Sequence, residues 1–458
     1  MGKRNRKERE QKFRVVHRFA AGIDIGATFH VVAVSAEHDP EPVRKFKSFT
    51  TDLHRIADWL ESIGITTIAM ESTGVYWIPA FEILESRRFE VILVNARQVK
   101  RVPGRKTDMN DAQWLQQLHQ YGLLAASFRP REQIASLRAY LRHRERLIEY
   151  AAGHIQHMQK ALMQMNLQLQ HVLSDITGAT GMKIIRSIIA GERSAKKLAS
   201  YRDIRCKKPE EMIAAALTGN YRPEHVFALK QSVSLYDFYQ QQIRECDKEI
   251  ELILTKLPGD KCPPAQPLSK ARHRTKQKNE PDFAIRQALY TLLGVDLTQI
   301  NGIGPYTALR LIAECGDDMG KWPTARHFAS WLCLSPGNKI SGGKILASST
   351  RKTKNRASTL LRIAAVNIGK TQTALGAFYR RLSARIGKAK AVTATARKLA
   401  VLFYTLLRYG KSYVESGADY YEKQYRQRLL RNLSRRAKGL GFDLVRIAEN
   451  PTVPMNVS

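Results

Sequence analysis

The stretch Ala20-Ala21-Gly22-Ile23-Asp24-Ile25-Gly26 decides how this chain folds. It is short, apolar and closed by glycine, which predicts a buried strand with one carboxylate in its middle. Burying a lone carboxylate is costly unless a cation or a partner compensates it. Asp24 is therefore either a metal-binding group or a structural carboxylate, and the flanking sequence has to decide. Residues 29–36 are again apolar and β-branched, and residues 43–50 alternate, so three adjacent strands are expected. Asp52 is expected to cap a helix running to Ser62, with Leu53, Ile56, Ala57 and Leu60 on one face. Residues 66–70 read as a buried strand, 78–86 as a helix, 89–94 as a strand and 108–120 as a closing helix.

Three consecutive strands followed by α-β-α-β units is the order of an RNase H-like α/β fold. On that order the remaining acids gain meaning. Glu71 ends the strand Ile68-Ala69-Met70, and Asp108 and Asp111 stand three apart at a helix start, on one face. Four carboxylates at one point would bind two Mg²⁺ or Mn²⁺ ions about 4 Å apart, the clamp of in-line phosphoryl transfer. Oxygen-only ligands favour Mg²⁺ over softer metals. Each acid also has a plainer use: Glu71 as a cap for Thr73 and the turn after it, Asp108 as a helix N-cap. The pattern Asp24-x-Gly26-x-Thr28 also opens the phosphate turn of actin-like kinases, but no second glycine-rich phosphate loop follows it.

Charge narrows the partner. Lys+Arg number 75 against 41 Asp+Glu, a formal net charge of +34, which predicts a polyanion such as nucleic acid. No apolar run approaches the roughly 18 residues of a membrane span. The five cysteines, Cys206, Cys246, Cys262, Cys315 and Cys333, form no C-x-x-C pair, which argues against a zinc module or a disulfide framework. A cytoplasmic, nucleoid-associated protein is expected.

The rest of the chain divides by pattern. Residues 1–18 form a basic arm, 19–130 the α/β domain, and 131–257 a coiled-coil arm. Residues 258–284 form a basic, proline-rich linker or insertion, 285–410 a helical domain, and 411–458 a basic helical tail. Within the arm, Ile134, Leu137, Leu141, Arg144, Ile148, Ala151 and Ile155 alternate spacings of three and four, and only Arg144 breaks the apolar stripe. A second stripe runs from Leu229 to Leu257, so an antiparallel hairpin that also dimerises is expected. In the helical domain, Ile300-Asn301-Gly302-Ile303-Gly304-Pro305 reads as a turn between two helices, whose Gly302 and Gly304 let backbone amides approach phosphate. Ser341-Gly342-Gly343-Lys344 reads as an exposed glycine loop, and Arg351, Lys352, Lys354 and Arg356 as phosphate contacts or a solvated helix face.

With those residues set out, the chain resembles the DEDD insertion-sequence transposases (the IS-one-ten and IS-eleven-eleven group), RNA-guided serine recombinases. The marks are residues 22–26, Met70-Glu71-Ser72-Thr73-Gly74-Val75-Tyr76-Trp77, Lys106-Thr107-Asp108-Met109-Asn110-Asp111-Ala112, Gly302-Ile303-Gly304 and Ser341-Gly342-Gly343-Lys344. The resemblance implies a RuvC-like domain holding divalent metal on Asp24, Glu71, Asp108 and Asp111, with Lys106 beside the DNA. It implies a helical transposase domain whose Ser341 attacks a DNA phosphate, with Ser335 as the second candidate. It further implies an element-encoded guide RNA, donor and target DNA, and a homodimer assembling to a tetramer with composite sites. Two other functions fit the same residues: a hydrolytic Holliday-junction resolvase that leaves Ser341 idle, and a non-catalytic nucleic-acid-binding protein.

Overall fold

The computed structural model describes residues 14–72, 74–95, 99, 110–257, 267–271, 276–410 and 417–445. Lys106 and Asp108, like most of the basic arm and much of the 258–284 segment, lie outside the described residues. The chain divides into two compact units, residues 1–129 and 130–458.

The first unit is a five-stranded mixed sheet in the order β3-β2-β1-β4-β5. Its strands are β1 (Ala20–Ile25), β2 (Phe29–Ala33), β3 (Val43–Lys47), β4 (Thr67–Glu71) and β5 (Glu90–Val94). The first three pair antiparallel as a meander, and β1-β4-β5 run parallel through helical crossovers. Parallel neighbours need such crossovers, and here they are α1 (Thr50–Ser62) and α2 (Trp77–Ser86). This mixed topology is consistent with an RNase H-like domain.

Strand alternation assigns the two faces. Ala21, Ile23, Ile25, Ile68 and Met70 join Leu53, Ile56, Leu60, Phe81 and Leu84 in one core. Ala69 and Val94 face the other way, against Trp114, Leu115 and Leu118 of α3 (Asp111–Gln120). One expected cap is absent: α1 starts three residues early, with Phe49 as N-cap, so Asp52 sits in its first turn and bonds Arg55 at 2.9 Å.

The second unit is helical. Two long helices, α4 (Glu132–Gln164) and α9 (Pro223–Lys256), run antiparallel against each other. Arg144 meets Asp247, Tyr150 meets Tyr239, and Met158 and Leu162 share a core with Leu229 and Val233. The apolar stripes are thus filled within one chain. Four short helices cap the far end, α5 (Leu169–Val172), α6 (Ala179–Ile189), α7 (Ala195–Ala199) and α8 (Glu210–Ala216). There follow α10 (Ile285–Leu293), α11 (Pro305–Cys315), α12 (Ala325–Trp331), α13 (Arg356–Ile368), α14 (Ala374–Ile386), α15 (Lys388–Tyr409) and α16 (Gly417–Gly439). Between α12 and α13 stands a two-stranded hairpin, β6 (Lys339–Ser341) and β7 (Lys344–Ala347).

Arg144, the residue that interrupts the stripe, is 2 % exposed. It pairs with Asp247 and donates to the Tyr306 hydroxyl at 3.1 Å and the Asn279 carbonyl at 2.8 Å. A buried guanidinium is tolerable because its donors are satisfied. Nearby, Glu145 pairs with Arg310 and Arg356, and Arg142 with Glu314. The root of the arm is therefore tied to α11 and α13.

Candidate metal and nucleophile sites

The acidic site follows from three local facts. First, β1 and β4 pair in register Gly22↔Ala69 and Ile23↔Met70, and one further step sets Asp24 beside Glu71. Second, alternation turns Gly22, Asp24, Ala69 and Glu71 to the face that carries α3. Third, Gly22 lets that helix come very close: a Cβ there would stand 2.4 Å from the Gln116 amide nitrogen and 2.5 Å from the Ala112 carbonyl oxygen. Asp111 is the first residue of the helix so docked.

Asn110 fixes that helix start. Its Oδ1 accepts from the Gln113 amide at 2.8 Å, and the Gln113 side chain accepts from the Asn110 amide at 3.4 Å, a capping box. The N-cap of this helix is Asn110, and Asp108 lies outside the described residues. Desolvation, then the charges of Asp111 and Glu71, push the Asp24 carboxyl above its ordinary 3.8. Crowded carboxylates that repel one another, all of them oxygen donors, suit a hard dication. Among the described residues no group of three or more such side chains closes into a metal cage. Asp24, Glu71 and Asp111 are brought to one place, and Asp108 lies outside the described residues.

Ser341 sits on the β6–β7 hairpin instead of a loop. Gly342 and Gly343 have φ of 53° and 74°, and Ser341 pairs with Lys344 across them. Two positive φ values between paired strands make a type I′ turn, which Gly-Gly accepts without a Cβ penalty. Every residue of both strands is exposed, Ile340 and Ile345 at 62 % each. Gly-Gly between short runs is a hairpin signal present in the sequence.

The family model of the IS110 DEDD transposases, described as Transposase, matches residues 21–167. A second, described as Transposase IS116/IS110/IS902 family, matches residues 296–380. The chain belongs to the IS110 family of transposases. No curated protein sequence matches it. The first match contains Asp24, Glu71 and Asp111, and the second contains the glycine turn and the Ser341 hairpin.

In this transposase the remaining candidates are used unequally. Lys344, Lys352 and Lys354 are exposed. Arg351 donates to the Ser330 carbonyl at 2.8 Å, and Arg356 is held by Glu145 at 2.6 Å. Gly302, with φ of 84°, packs so closely that a Cβ would meet Ile368 Cγ1 at 2.6 Å. At Gly304 a Cβ would stand 1.9 Å from Gln277 Nε2. Both glycines line a cavity of about 550 Å³ with Lys276, Arg286, Asn301 and Thr371. Sequence reasoning missed the helix-docking role of Gly22 and the capping box of Asn110 and Gln113. The second was readable as N-x-x-Q ahead of an apolar helix.

Proposed function

We propose that this IS110-family transposase performs DNA strand cleavage and exchange, with Asp24, Glu71, Asp108 and Asp111 holding two divalent cations and Ser341 as nucleophile. The observation that carries the proposal is the convergence of Asp24, Glu71 and Asp111 on the α3 side of the sheet. A bound Mg²⁺ or Mn²⁺ pair would supply charge neutralisation at a transferring phosphate. The carboxylates bind and orient, and their mutual repulsion makes that binding favourable.

Ser341 Oγ then attacks a DNA phosphorus and gives up its proton to solvent. The displaced deoxyribose oxygen takes a proton, and the phosphate stays on the serine. A hydroxyl of the recombining strand attacks that phosphoserine, restores Ser341 and joins the new strand. An exposed turn of two glycines suits a nucleophile that must reach a phosphate outside its own fold. Lys106, Lys344, Lys352, Lys354, Arg351 and Arg356, with the Gly302–Gly304 turn, are proposed to hold phosphate backbone. Guidance by an element-encoded RNA, a homodimer assembling to a tetramer through the 131–257 arm, and a cytoplasmic, nucleoid-associated location complete the proposal.

One observation favours a water-using nuclease: no His, Asp or Glu among the described residues hydrogen-bonds Ser341 as a base would. A denaturing gel separates the readings. End-labelled element DNA is incubated with Mg²⁺, RNA from the element flank and the protein. A labelled band at protein mass, lost in both Ser341→Ala and Asp24→Asn, supports serine recombination. Free cut DNA that survives Ser341→Ala would leave the carboxylates working with water and the serine idle.

A further inference from the structure

Helix α16 contains no buried residue, yet its first half is firmly seated on α14. Tyr421 meets Phe378 edge-on at 6.1 Å, Arg381 pairs with Glu422, and the same guanidinium lies 3.6 Å from the Tyr425 ring centre. Beyond Tyr425 the composition changes. Residues 426–439 hold Arg426, Arg428, Arg431, Arg435, Arg436 and Lys438 and not one carboxylate. Arg428, Arg431, Arg435 and Lys438 follow spacings of three, four and three, so they share one face. All four are exposed, and the exposed Leu429, Leu430 and Leu433 fall on the other side.

Like charges at these spacings destabilise a helix, and no acid within this segment offsets them. Among the described residues only Lys438 has a nearby carboxylate, Asp443 at 4.0 Å with both partners exposed. The crowding extends to the next helix. Lys398 of α15, partly desolvated over the Phe378 ring and then repelled by Arg428, has its ammonium pKa pushed down. A row of cations that repel one another along one face is the complement of a polyanion.

We propose that the ridge Arg428, Arg431, Arg435 and Lys438, with Lys398 beside it, is a separate nucleic-acid contact that grips the phosphate backbone of duplex DNA without reading sequence. The ridge covers about 15 Å at 1.5 Å rise per residue. Duplex DNA offers one phosphate charge per roughly 1.7 Å of axis, so several phosphates lie within its reach. Family membership already makes DNA the substrate, and this contact lies outside both matched regions.

The test titrates the full-length protein with a labelled duplex of unrelated sequence across a series of KCl concentrations. Arg431→Gln, Arg435→Gln and Lys438→Gln together should weaken binding about tenfold near 0.15 M salt. The slope of log affinity against log salt should fall by about 2 to 3, one phosphate contact being worth about 0.9. Arg431→Lys with Arg435→Lys should bind like the parent, because the charges remain. An unchanged slope in the Gln variant would overturn the proposal, as would equal weakening in the Lys variant. A larger loss on an RNA duplex than on the DNA duplex would overturn the choice of DNA.

Discussion

Gly22 on β1 and Gln116 on α3 are packed so tightly that a methyl group on the glycine would lie 2.4 Å from the Gln116 amide nitrogen. The obstacle is backbone, which cannot swing aside, so α3 itself would have to move. Gly22→Ala should cost roughly 1–3 kcal/mol, the usual range for overpacking a core. It should also carry Asp111 away from Asp24, so strand cleavage should fall more than DNA binding. Thermal unfolding together with cleavage and binding assays measures both; an Ala variant that cleaves normally would contradict this account of helix docking.

Asp24 gives a prediction with a definite sign. Its folded pKa lies above 3.8, so the folded state holds the proton more tightly than the unfolded chain. Stability of the metal-free protein is therefore lost as pH rises from 3.8 through the raised value. Asp24→Asn should remove this loss and melt higher than the parent at neutral pH without metal. It should also lack the rise in melting temperature that Mg²⁺ gives the parent. A variant that melts lower without metal, yet still responds to Mg²⁺, would show that Asp24 is not the strained carboxylate of the site.

His119 behaves in the opposite sense. It is 2 % exposed, bonds Thr67 Oγ1 through Nε2 at 2.9 Å and stacks on His17 at 4.8 Å. Burial first, and His17 second, lower its pKa from 6.5 to about 4. Its neutral form is the folded form, so its contribution is present above pH 6.5 and is lost as pH falls towards 4. The loss should be on the order of 3 kcal/mol from a shift of this size. Melting curves between pH 7 and 4 should show this slope in the parent and a shallower one in His119→Gln.

Arg144 and Asp247 test the root of the arm. Arg144→Ala leaves Asp247 buried without its partner, which should cost about 3–5 kcal/mol. Arg144→Met combined with Asp247→Leu should recover most of that, since apolar replacement of a buried pair is often neutral. Denaturant unfolding of the two variants distinguishes them. Equal losses would mean that the Tyr306 and Asn279 contacts of Arg144, more than the ion pair, hold the helices together.

Much of the first unit was legible because its strands are buried on one or both faces. Asp24 stands out as an acid between two isoleucines and Glu71 as the acid that ends an apolar strand, and strand alternation places both on one side. The helix that completes the site was legible only in outline. Its docking depends on Gly22 having no side chain, and its start depends on Asn110 and Gln113 bonding each other. In the second unit the stripes predicted two long helices, while the partner of Arg144 lay a hundred residues away and carried no local signal. Around Ser341 the three-residue strand is too short to show alternation, so the sequence reads as a loop, and only the Gly342-Gly343 pair, with its positive φ values, signals the hairpin.

The lashing of α4 to the core has a mechanical consequence. Arg144, Glu145 and Arg142 grip three neighbouring elements at one end of a helix that is about 50 Å long. Such a beam is clamped at its base and cannot pivot without unmaking a buried ion pair. The far end of the helix is thereby kept at a set reach from the glycine turn that precedes α11.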